Sequence, residues 1–152
     1  MNRYLLSLFT ISGTIAGSLL AVTNKPIWEC APPKGAPTEL VSVDITYSDN
    51  HRDIGTQPIV FLQFYTATVI TKEKQIVHFT VDQTAPKPGN DGGSTIWEGK
   101  PDSGEAFDLH ISTDSPLVEG AYRGQLNTVL KATKKFVEQK IDTEVRCTKK
   151  SK

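Results

Sequence analysis

The chain has 152 residues, of which 38% are hydrophobic, and its 17 lysines and arginines are balanced by 17 aspartates and glutamates. Balanced charge excludes a general polyanion binder, so no nucleic-acid partner is expected. The only two cysteines, Cys30 and Cys147, lie at opposite ends and leave no Cys-x-x-Cys redox motif.

Residues 1–21 carry Arg3, then the apolar run Tyr4 to Ile11, then small residues, which is the order of a secretory signal peptide. Ser7, Thr10, Ser12 and Gly13 interrupt the apolar character well short of the ~20 residues that a spanning helix needs. Cleavage is expected after Ala21, with Ser18 as the other small-residue site. Residues 22–152 then form one exported domain, periplasmic or secreted, with no further membrane span. In an oxidising compartment Cys30 and Cys147 are expected to form a disulfide, a clamp for which chain entropy gives about 4.7 kcal/mol when the loop is ~100 residues long.

Along the rest of the chain the hydrophobic period is two, the rhythm of strands with one apolar face. Pro32, Pro33 and Pro37 make residues 31–37 an exposed connection, because proline supplies no ladder donor. Val41, Val43, Ile45 and Tyr47 alternate with Ser42, Asp44 and Thr46 and are expected to face the core. A polar turn is expected from Ser48 to Pro58. The run Ile59 to Tyr65, apolar on both faces, reads as the most buried strand and continues to Thr71. Lys72 to Lys74 turns the chain into Gln75 to Val81, with Val77, Phe79 and Val81 inward.

Residues 82–105 are rich in glycine, proline and charge and read as a long surface loop interrupted by Thr95-Ile96-Trp97-Glu98. Phe107, Leu109 and Ile111 alternate with Asp108, His110 and Ser112 in a strand. Ala121 to Leu130 and Ile141 to Thr148 read as two more. Residues 128–140 fit a hairpin or a short helix. The hairpin is favoured because Ile141 to Thr148 is rich in β-branched residues and Gly124 lowers helix propensity. Six to eight short strands predict an all-β fold, an antiparallel β-sandwich or small barrel.

Chemistry-bearing motifs are sparse. No glycine-framed serine elbow, phosphate loop or dinucleotide fingerprint occurs. His78 and His110 share the outward faces of their strands, and Asp108 shares a face with His110. If the strands were neighbours, His78, Asp108 and His110 would supply a zinc site with an open position, the basis of an alternative reading as a small metal-dependent hydrolase. Asp91 and Asp102 lie in the long loop with Trp97, an aromatic anchor suited to an interface. Trp28 beside Cys30 reads as packing on the disulfide. From Lys131 onward eight basic residues face Glu138, Asp142 and Glu144, a basic C-terminal end.

These features favour an exported, non-enzymatic, cofactor-free β-domain that binds a protein or envelope component through Trp97, Asp91 and Asp102. A monomer is expected. Self-association through an open sheet edge is the structural alternative.

Overall fold

The alternating pattern folds into eight antiparallel strands in the computed structural model, which describes residues 21–54, 57–84, 93–100, 104–116 and 120–150. The strands are β1 (Ala21–Ala31), β2 (Leu40–Ile54), β3 (Gln57–Thr71), β4 (Ile76–Thr84), β5 (Ser94–Gly99), β6 (Phe107–Pro116), β7 (Ala121–Leu130) and β8 (Gln139–Lys149). Each pairs with the next, and β8 pairs with β1 to close the barrel. Of the two all-β architectures expected, the chain adopts the barrel. The signal-peptide reading falls almost wholly on Met1 to Leu20, outside the described residues.

Period two divides each strand between wall and core. Val43, Ile45, Val69, Val81, Leu109, Ile111, Leu126 and Val145 are each 0% exposed and fill the interior. Each such aliphatic side chain contributes about 1.5–3 kcal/mol relative to leaving it in water. The alternate positions, among them Asp108, His110, Arg123, Gln125, Asn127, Asp142, Glu144 and Arg146, are exposed on the outer wall.

One end of the barrel carries the connections β1–β2, β3–β4, β5–β6 and β7–β8, and these are tied to one another. Lys72 N–H donates to the Glu39 carbonyl at 2.8 Å, and both Val129 N–H and the Thr128 hydroxyl donate to the Ala106 carbonyl, at 2.9 and 2.8 Å. Leu40, Thr71, Gln75 and Leu130 are buried beneath these connections, so this end is a packed floor. In the β3–β4 turn Lys74 takes φ 63°, the left-handed conformation that a tight turn imposes even on lysine.

Residues 131–138 form the β7–β8 connection and lie mostly exposed, and no helix occurs among the described residues. The hairpin reading of residues 128–140 is the one realised, with Leu130 opposite Gln139 and Ala121 opposite Thr148.

Four local expectations are corrected. A register shift between Leu40 and Ser42 places one extra residue in β2, and Val41, expected inward, turns out and is 46% exposed. The expected turn from Ser48 to Pro58 is strand, with β2 and β3 paired out to Ile54 opposite Gln57. The run Ile59 to Tyr65, expected to be the most buried, is described in its side chains only from Gln63 on. Gln63 is exposed and Phe64 and Tyr65 half-buried, because β3 meets β4 only from Tyr65 to Ile70. β1 likewise runs beside β2 out to Ala21 opposite His51 but meets β8 only over Trp28–Ala31. Among the described residues, therefore, β1, β2 and β3 continue past the barrel as a three-stranded arm. Finally, residues 82–105 are not one loop. They contain the end of β4 and the whole of β5, which pairs on both sides and buries Thr95 and Trp97.

Cys30 and Cys147 are register partners across the β1–β8 seam and form the expected disulfide, with Cα atoms 4.0 Å apart and both residues buried. Gly124 packs directly under it. A Cβ there would lie 3.2 Å from Cys147 Sγ and 3.0 Å from Val145 Cγ2, so a side chain has no room. Replacing both cysteines with alanine should lower unfolding free energy by about 2–5 kcal/mol. Urea denaturation monitored by circular dichroism measures this, and a change below ~1 kcal/mol would mean that the seam holds by strand pairing alone.

Candidate binding site

In an up-and-down barrel the end opposite the floor gathers the starts of odd strands and the ends of even ones. Here those inner positions carry tryptophan and tyrosine, where the floor carries leucine and phenylalanine with buried Thr71, Gln75 and Thr128. Trp28 opens the barrel section of β1, Trp97 lies in β5 and Tyr122 in β7, while Tyr47 and Tyr65 are register partners where β2 and β3 leave the barrel. Tyr65 is the hub. Its ring centroid lies 5.0 Å from that of Trp97 at an interplanar angle of 67°, and 5.3 Å from that of Tyr47 at 55°. Trp28 and Tyr122 meet edge to face at 5.7 Å. These are the offset and T-shaped arrangements that ring quadrupoles favour.

The rings border two contiguous cavities that share Ile27, Tyr65 and Lys149. The outer one, of about 700 Å³, lies against Tyr47, Lys25, Pro26 and Gln63. The inner one, of about 350 Å³, reaches Trp97, Thr95, Gln83, Thr113 and Tyr122. Gln83 Nε2 donates to Thr95 Oγ1 at 2.8 Å, which leaves the amide carbonyl of Gln83 directed elsewhere. Trp97 is 1% exposed, borders the inner cavity, and its Nε1–H is buried with no hydrogen-bond partner. A buried donor left unpaired costs about 1–3 kcal/mol. An acceptor that reached this N–H from the inner cavity would remove that cost.

The anchors expected from sequence are distributed differently. Trp97 is an interior residue and not a surface anchor, because Trp97 pairs with Leu109 on one side and Gln83 on the other and its parity points inward. Asp91 and Asp102 lie outside the described residues. The zinc reading fails on topology. β5 separates the strands of His78 and His110, and His110 registers through Ile96 with Thr84, six residues along β4 from His78 and about 20 Å away at ~3.3 Å per residue. His78 Nδ1 instead meets Thr68 Oγ1 at 3.0 Å. No group of three or more His, Cys, Asp or Glu that could hold a metal occurs among the described residues.

The basic C-terminal end is divided as well. Lys131, Lys134 and Lys135 lie in the floor connection, Arg146 is on the outer wall, and Lys149 and Lys150 border the open end. Sequence reasoning missed Tyr65 and Lys149 as site residues, although their positions at the ends of their barrel sections, once strands are ordered consecutively, bring both to the same mouth.

Asp108 sits on the outer wall, opposite Glu98 in the β5–β6 register, and borders a groove of about 420 Å³ with Asn127 and Lys140. Partial burial first, and the Glu98 carboxylate second, raise its pKa above the ordinary 3.8, with His110 opposing. Glu98, Glu105 and Lys140 line the same groove, as does Thr128, whose hydroxyl donates to the Ala106 carbonyl.

The sequence matches no known family model, no curated protein and no solved structure. Fold and site together define a closed eight-stranded up-and-down β-barrel with a packed floor and an aromatic-lined mouth.

Because its pKa is raised on folding, ionised Asp108 destabilises the native state, fully above the raised pKa, and the penalty fades as pH falls through that pKa and vanishes below the ordinary 3.8, where the carboxyl is protonated folded or unfolded. Asp108→Asn should therefore be more stable than the parent at neutral pH, and the two should converge on acidification. Urea midpoints between about pH 7 and about pH 3 test this, and a variant less stable at neutral pH would show that the carboxylate makes a favourable contact that outweighs its burial.

Proposed function

We propose that the protein is an exported, non-enzymatic binding barrel that holds a small component of the envelope or extracellular space in its mouth. The observation that carries this reading is the pair of contiguous cavities at the mouth, the outer walled by Tyr47 and Tyr65, the inner bordered by Tyr65 and by Trp97, whose Nε1–H is buried and unpartnered. Eight strands close a barrel just wide enough to be filled by side chains or to hold one small ligand. In this chain the first solution applies at the floor and leaves room for the second at the mouth. Export is supported by the signal-like N-terminus and by the Cys30–Cys147 bridge, since such bonds persist in oxidising compartments. Among the described residues no helix is long and apolar enough to cross a membrane. The outer wall, with Asp108, Arg123, Gln125, Asp142 and Glu144 exposed, has the polarity of a barrel bathed in water, the reverse of a lipid-facing one.

The protein recovered from its own exported fraction should carry a small organic adduct in native mass spectrometry that denaturation releases. Tyr47→Ala, which removes half-buried wall at the rim and leaves the core intact, should retain roughly tenfold less of it with little change in thermal midpoint. No adduct, together with no thermal stabilisation by an organic extract of that fraction, would refute the reading.

The arm supports a second reading, self-association by strand addition. Among the described residues Gln57 to Phe64 of β3 pair with β2 alone, and an edge with the sequence Ile59-Val60-Phe61-Leu62 is a template for another strand. Light scattering would then give a dimer that Val60→Lys returns to a monomer, whereas a monomer at millimolar concentration removes this reading.

A further inference from the structure

We infer that the ligand of the mouth is an organic anion with an apolar body, its acceptor oxygens facing Trp97 Nε1–H and the Lys149 ammonium. This rests on the mouth being the binding site and adds the chemical class of what it takes.

The argument is one of charge and donor inventory. The described residues bordering the two cavities include three lysines and no aspartate or glutamate. Lys150 is turned away to an ion pair with Glu29 on the β1 side. Lys149 is different, because β8 parity directs it with Val145 and Cys147 to the inner side, and it borders both cavities. Register seats it opposite Trp28 at the top of the seam. Lys25 adds a second ammonium at the rim of the outer cavity.

The inner cavity therefore offers a cation and an unpaired N–H, while Tyr47, Tyr65, Ile27 and Pro26 offer an apolar wall in the outer one. Low local dielectric strengthens a contact to the buried Trp97 N–H, Lys149 is exposed at the border of both cavities, and hydrogen bonds to a charged acceptor are about twice as strong as neutral ones. A cationic ligand would meet Lys149 and Lys25 with no carboxylate among these lining residues to balance them. An uncharged apolar ligand would leave the Trp97 donor unpaired.

A matched pair of fluorescent probes tests the assignment: 8-anilinonaphthalene-1-sulfonate, an aromatic anion, and N-phenyl-1-naphthylamine, its uncharged parent. The exported protein should bind the anion at one site and about tenfold more tightly than the parent compound. Lys149→Met, which keeps the length of the side chain and removes its charge, should bring the ratio of the two affinities close to one. The anion should shift the Trp97 indole N–H resonance downfield, and Trp97→Phe should weaken its binding.

Equal affinities for the two probes, or an unchanged ratio in Lys149→Met, would overturn the anion assignment while leaving the mouth as a binding site. Failure of both probes to bind a protein that unfolds cooperatively would overturn the binding-site reading itself.

Discussion

Everything in this structure depends on closure of the β1–β8 seam. The other seven pairings join strands adjacent in the chain, whereas this one joins the two ends of the described fold and runs only over Trp28–Ala31 and Arg146–Lys149. So short a ladder leaves the ends of the wall weakly held, and the disulfide sits within it at a register pair where both side chains point inward. Gly124 on β7 is the accommodation the bridge requires, because the space a side chain would occupy is taken by the Cys147 sulfur and Val145. Without closure, β1 and β8 would present bare edges and the core would open to water along its length.

Closure also fixes the difference between the two ends. At the floor, the β1–β2 and β3–β4 connections are hydrogen-bonded to each other and the β5–β6 connection to β7, over buried Leu40 and Leu130. At the mouth, among the described residues, β1, β2 and β3 run past their neighbours where Trp28, Trp97, Tyr47, Tyr65 and Tyr122 gather. The floor has buried polar atoms of its own without partners, both amide atoms of Gln75 and Oε1 of Gln139. Gln139 borders a cavity of about 320 Å³ beside Lys140, and Trp97 borders one of about 350 Å³ beside Lys149. The mouth differs in that its cavity continues into a second one of about 700 Å³ walled by Tyr47 and Tyr65.

Much of the wall was legible from alternation alone: Phe79 and Val81, Phe107 to Ile111, and Ile141 to Cys147 all point as period two requires. Alternation misled where the ladder departs from it. The bulge at Val41 adds a residue that no pattern announces, and the polar stretch Ser48 to Ile54 is strand because β3 lies beside it, a tertiary cause that outweighs local propensity. The site was half legible. Trp97 stands out in the sequence, but glycine and proline on either side of it suggested a loop, when they belong to the connections flanking a short central strand. Tyr65 and Lys149 carry no local signal at all. They become neighbours only when consecutive strand order and barrel closure are both known, and periodicity supplies neither.

The order of the strands also sets the order in which the wall can be completed. β1 is synthesised first and its outer partner β8 last, so no barrel can form until nearly the whole chain is available, although each intervening hairpin can form by itself as it emerges. A chain built this way leaves its barrel open through its synthesis. The two thiols come into register only at the end of folding, so oxidation there marks a finished barrel and bonds made earlier would join strands that are not yet neighbours.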